Sequence, residues 1–183
     1  MADVAHVIKV DNAINHGESA WGSRWKRETA GRTGISMEVP DKFQPVPMAP
    51  SDNIVEYLRM YENQEMRLVK KRGVFDVTVR RELYDDRQKV DLDGAVESVR
   101  AGLNQLNGSH PSESNYIKEL DIQVDSASGH IINVRIGNDG YWYVFLTEGQ
   151  NYWQMCVGYW ADDPEADKRA LQVITSLKRV EDK

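Results

Sequence analysis

His130-Ile-Ile-Asn-Val-Arg-Ile136, Gly137-Asn-Asp-Gly140, Tyr141-Trp-Tyr-Val-Phe-Leu-Thr147, Glu148-Gly-Gln-Asn151 and Tyr152-Trp-Gln-Met-Cys-Val-Gly-Tyr-Trp160 follow one another without interruption. Read together they give three strands joined by two tight turns. The turns carry Gly, Asn and Asp, residues that tolerate the left-handed backbone of a hairpin connection. After them Asp163 can cap a helix that starts at Pro164, and Ala166, Ala170, Val173, Ile174 and Leu177 fall on one face of it. The block from His130 to Lys178 therefore predicts an antiparallel sheet packed by a C-terminal helix. Both faces of its hairpin are apolar, with Tyr141, Tyr143 and Phe145 on one and Trp142, Val144 and Leu146 on the other. A strand apolar on both sides belongs in a sheet covered on both sides.

Upstream, Leu92, Ala95, Val96, Val99, Leu103 and Leu106 make an apolar stripe at helical spacing. Asp91 caps this helix and Asn107-Gly108 ends it. Gly34 to Pro40 alternates as a strand, with Ile35, Met37 and Val39 on one side and Ser36 and Glu38 on the other. Val74 to Leu83 and Ile117 to Val124 are further strands, and Ser126 to Gly129 is a turn into the three-strand block. Residues 51–72 fit either a helix beginning near Ser51 or two strands. The order of elements predicts an α+β fold, a central antiparallel sheet flanked by helices in an α/β/α sandwich. Residues 33–180 form that domain. Residues 1–32, rich in Gly and polar side chains and without a sustained period, form a flexible N-terminal arm. Trp21 and Trp25 in the arm, four residues apart as on a helical turn, either cover an edge of the core or dock a partner.

Composition narrows the function. The chain of 183 residues has a net charge of −6 and 40% hydrophobic residues, with a mean hydropathy of −0.60 and a pI near 5.3. An acidic chain is not expected to bind nucleic acid through its phosphates. The basic run Arg67 to Arg72 splits its charges between two faces if it is a strand. No apolar stretch reaches membrane-spanning length, and the N-terminal run from Met1 to His6 lacks a basic segment followed by an apolar one, so no signal peptide is read and the expected compartment is the cytoplasm. The single cysteine, Cys156, sits mid-strand and is expected to be a buried, unreactive hydrophobe. His6, His16, His110 and His130 lack the spacing of a zinc-binding helix, and Asp85, Asp86, Asp91 and Asp93 lack that of a calcium loop, so no metal and no cofactor is expected. Neither a nucleophile elbow nor a phosphate loop occurs.

Gly34-Ile-Ser-Met-Glu-Val-Pro-Asp-Lys-Phe43, the helix from Leu92, Gly129 to Arg135, the aromatic hairpin and the helix from Asp163 to Leu177 together resemble the PsbP-like superfamily over residues 33–179. That superfamily includes PsbP, the Ran-release factor, DcrB, LpqN and Eag-type chaperones. The resemblance implies the α/β/α sandwich and a non-catalytic binding module or chaperone-like adaptor acting on another protein. A small-molecule-binding protein or enzyme using a cleft between sheet and helix is the alternative. Aromatic residues with polar tips are enriched at binding surfaces. The candidates near strand ends, expected to stay partly exposed, are Tyr141, Tyr152 and Trp160, with Trp21 and Trp25 from the arm.

Overall fold

A computed structural model describes residues 24–48, 51, 53–61, 74–85, 87 and 90–181. Its main sheet has seven antiparallel strands in the order β3-β4-β5-β9-β8-β7-β6. These are β3 (Gln44–Pro47), β4 (Ile54–Tyr61), β5 (Val74–Leu83), β6 (Tyr116–Val124), β7 (Ala127–Ile136), β8 (Asp139–Glu148) and β9 (Asn151–Trp160). Helix α1 (Leu92–Ser109) separates β5 from β6, and helix α2 (Pro164–Thr175) follows β9. A second sheet has three strands, β1 (Trp25–Thr29), β2 (Ile35–Pro40) and the short β10 (Lys178–Arg179), with β2 in the middle.

The sandwich predicted from the sequence is what forms. On one side of the main sheet Val77, Val79, Ile131, Val144, Leu146, Trp153, Met155, Val157 and Tyr159 meet Ala166, Ala170, Val173 and Ile174 of α2 and Ile35, Met37 and Val39 of β2. On the other side Ile132, Val134, Phe145 and Tyr152 meet Val96 and Leu103 of α1. The two-faced apolar pattern of β8 is thus used by a helix on each side. Asp163 caps α2, accepting a bond from the backbone N–H of Glu165 at 2.9 Å, and Asp91 caps α1 through the N–H of Gly94 at 2.8 Å.

The three hairpins β6–β7, β7–β8 and β8–β9 each turn in two residues, since Val124 pairs with Ala127, Ile136 with Asp139 and Glu148 with Asn151. Gly137 (φ 61°) and Gly149 (φ 58°) supply the left-handed backbone of the last two. In the first, Asp125 adopts φ 51° itself. This corrects the expected Ser126 to Gly129 turn: the chain reverses at Asp125-Ser126, and Ala127 to Gly129 already belong to β7. Helix α1 also outlasts its expected end. It continues through Asn107-Gly108 because Ser109 Oγ bonds the carbonyl of Gln105 and the N–H of His110 that of Leu106, and Pro111 stops it.

The N-terminal boundary moves as well. Trp25 to Thr29, assigned by sequence to the arm, pair residue by residue with Pro40 to Ser36, so β1 is part of the domain and Trp25 lies in a strand, not a helical turn. Residues 1–23, with Trp21, His6 and His16, lie outside the described residues, as does the Arg67 to Arg72 run. The ambiguity over residues 51–72 resolves to a strand for Ile54 to Tyr61, and the remainder lies outside the description. No helix among the described residues is long and apolar enough to cross a membrane.

One side chain from the hairpin block bonds directly to the turn between β1 and β2. Trp153 is fully buried and donates its indole N–H to the carbonyl of Thr33 at 2.6 Å. The guanidinium of Arg81 lies 5.8 Å from its ring centroid and that of Arg179 4.7 Å. Arg81 Nε donates to Asn151 Oδ1 at 2.8 Å, while Arg179 donates from Nε to Glu148 (2.6 Å) and from Nη1 to the Gly34 carbonyl (2.7 Å). The backbone N–H of Arg179 bonds Asp125 of the first hairpin turn at 2.7 Å. Cation–aromatic contact and charge-assisted bonds hold the C-terminal strand of the second sheet against the main sheet.

Candidate functional site

Helix α1 packs on β7 and β8. The same face of the main sheet continues beyond it across β9, β5 and β4, where no described helix lies. Side chains alternate between faces along a strand, so the register decides what this half-face carries. Arg59, Thr78, Cys156 and Tyr143 form one cross-strand row; Tyr57, Arg80, Gln154 and Phe145 form the next. Glu82, Tyr152 and Thr147 form a third. Phe145 and Tyr152, in the cluster beneath α1, establish that these rows face the α1 side.

The charges on the half-face are matched. Arg59 pairs with Asp76 and lies 5.5 Å from the ring centroid of Tyr61. Arg80 Nη2 donates to Gln154 Oε1 at 2.8 Å, and its Nε stands 3.2 Å from Glu82. The hydroxyls of Tyr152 and Tyr84 donate to Gln154 (3.0 Å) and Glu82 (2.6 Å). The bond to Glu82, with burial, pushes the Tyr84 hydroxyl up to about 12. Among the described residues of the half-face two guanidiniums stand against two carboxylates, and the Arg59, Arg80 and Gln154 side chains are already held by partners. Such a surface suits protein recognition, because little side-chain entropy remains to be lost on docking.

Cys156 is the nucleophile type on this face. Burial chiefly, and the nearby charge of Asp76, push its thiol up to about 12, against a smaller opposite effect of its bond with Tyr143. The Tyr143 hydroxyl is itself raised, first by burial. A thiol so raised is neutral at physiological pH and is neither nucleophile nor ready metal ligand. Thiol titration of the native protein at pH 7.5 is expected to leave Cys156 unlabelled over the time that modifies a denatured sample completely. Fast stoichiometric labelling of the native protein would contradict this.

The residues nominated from the sequence are dispersed. Tyr152 is 3% exposed, correcting the expectation that it stays accessible: it is buried in the cluster that includes Val96 and Leu103 of α1. Tyr141 is half-buried, its ring centroid 5.9 Å from that of Tyr143. Trp160 is half-buried opposite Asp139 at the far end of β9. Trp25 packs against the other core, across the sheet from the half-face. His130 sits in β7 with both ring nitrogens near carboxylates, Glu119 at 3.0 Å and Asp121 at 3.1 Å. Tyr57, Arg59, Arg80 and Gln154 escaped sequence reading. Their signal was the period-two runs Tyr57-Arg59-Tyr61 and Asp76-Thr78-Arg80-Glu82, which gain meaning only once β4 and β5 are known to be paired.

No protein-family model matches the chain, and no curated protein sequence matches it. Solved structures do. The solution structure of cyanobacterial PsbP (CyanoP) from Synechocystis sp. PCC 6803 is similar with a TM-score of 0.56 and 12% identity, covering 91% of this chain and 99% of that one. The Ran-binding protein Mog1p of Saccharomyces cerevisiae gives a TM-score of 0.49 and 10% identity, covering 87% of this chain and 97% of its own. At such identity the likeness to CyanoP is one of architecture, and it extends over nearly the whole of both chains: the protein has the PsbP-like fold.

Proposed function

We propose that this protein is a non-catalytic protein-binding module that docks its partner on the half-face of β4, β5 and β9 beside α1. The observation that supports this reading is the lattice of Tyr57, Arg59, Tyr61, Arg80 and Gln154, preset by Arg59–Asp76 and Arg80–Gln154 bonds on a sheet rather than on loops. Tyr and Arg are the residue types that concentrate binding energy at interfaces. Nucleic acid is not the expected partner, since the arginines of the half-face are matched by Asp76 and Glu82 and the chain as a whole is acidic.

The test is capture and identification of a partner, then titration of the purified pair with Tyr57→Ala and Tyr61→Ala variants. Each is expected to weaken binding by about 1–2 kcal/mol while leaving the melting temperature within a few degrees, as for hot-spot residues that are half-buried in the free protein. Unchanged affinity in both variants, or a turnover activity that survives them, rules this surface out.

A further inference from the structure

The two edges of the main sheet are built differently. At β3, the N–H of Met48 bonds the carbonyl of Tyr57, which places the backbone of Val46 toward Arg59 and turns Pro45 and Pro47 outward. Proline has no N–H, so this edge has no donors to offer at its outward positions. At β6 the two-residue turn makes Val124 and Ala127 a hydrogen-bonded pair, and bonding residues then alternate back through Ile122, Leu120, Lys118 and Tyr116. Ile117, Glu119, Asp121 and Gln123 therefore direct their N–H and C=O groups away from the sheet, and no described residue bonds them.

Side chains restrict what can pair there. Glu119 and Asp121 project to the α1 side, where Glu97 and Asp121 are exposed (65% and 73% of their side chains) and Arg100 is bonded to Glu97 and Glu119. Three carboxylates face one guanidinium and His130. The opposite side is apolar at half-buried Leu120 and buried Ile122, with Lys118 lying over Tyr116 at 4.6 Å. A second copy is disfavoured in the registers centred on the acids. A two-fold axis through Leu120 sets Glu119 opposite Asp121 twice, and axes through residues 119 or 121 set each acid against itself. Like charges directly opposite one another destabilise a strand pair.

From the open donors, the acidic side and the apolar side we infer that β6 is a strand-addition site for an extended segment of a partner protein, with Lys or Arg alternating with apolar residues. This site is separate from the half-face and stands whether or not that surface binds. Backbone bonds supply affinity in such pairing and alternate side chains supply selectivity.

The probe is a synthetic nonapeptide of alternating lysine and valine, followed by amide exchange and chemical-shift titration of the full chain. Free, the amides of Ile117, Glu119, Asp121 and Gln123 exchange fast while those of Lys118, Leu120 and Ile122 are protected. With the peptide the first four become protected. Asp121→Pro removes one outward donor and no bond to β7, and is expected to weaken binding about tenfold, as for loss of one well-made bond. Asp121→Lys, which leaves the backbone untouched, decides the matter if the proline variant does not fold; it shifts preference toward an alternating glutamate–valine peptide. Equal binding of the two peptides by the native chain overturns the proposal. So does lysine peptide binding that leaves the four amides unchanged. Protection that rises with protein concentration without peptide assigns the edge to a second copy, and overturns it too.

Discussion

Trp153→Ala is expected to lower the stability of the fold by about 3–5 kcal/mol, the range for removing a fully buried aromatic side chain. In a chain of this size that corresponds to a fall in melting temperature on the order of 10 °C. The loss has three parts. The ring leaves a cavity between the main sheet and β2; the Thr33 carbonyl loses its donor at 2.6 Å; and the guanidiniums of Arg81 and Arg179 lose the aromatic surface against which they lie. Trp153→Phe separates them. It keeps most of the volume but removes the N–H, and its cost is expected to be clearly smaller, with the hydrogen bond contributing about 1 kcal/mol. Thermal melts of both variants are the measurement. A melting temperature within two or three degrees of the parent for Trp153→Ala would show that the sheets do not depend on this side chain.

Gly129→Ala should be comparably severe for a different reason. A Cβ at Gly129 lies 1.7 Å from the backbone oxygen of Phe145, on the neighbouring strand, so a methyl cannot be admitted by a rotamer change. The β7–β8 ladder must separate locally, in a part of the sheet where Ile131, Ile132 and Val144 to Leu146 are buried. Overpacking of a well-packed core costs about 1–3 kcal/mol, and contact with backbone rather than side chain places this site at or above the upper end. Gly102 in α1 is the internal control, because an added Cβ there meets nothing within 4 Å. Gly102→Ala should stabilise the protein by about 0.5–1 kcal/mol through helix propensity. Urea denaturation of the pair is expected to move the midpoint in opposite directions. If both variants stabilise, the close strand approach at Gly129 is wrong.

Elements whose interacting residues lie close together in the chain could be read from those residues alone. The hairpins of β7, β8 and β9 carry their turn residues between their strands, and α1 and α2 carry their own caps and apolar stripes, so each was legible locally. The two apolar faces of Tyr141 to Thr147 also announced that helices cover both sides of the sheet. What the chain does at long range was decided only in three dimensions. Strand β5 pairs with β9 across a separation that bridges Arg80 and Gln154, and β1, β2 and β10 bring the two ends of the domain into one sheet. Alternation along a strand defines two faces but does not say which one a distant helix will cover. For that reason Tyr152, with its polar tip near a strand end, reads as a surface residue until the core on the α1 side is assembled around it. Conversely Tyr57, Arg59, Arg80 and Gln154 become a surface only when β4, β5 and β9 lie side by side in register, with α1 over β7 and β8 instead.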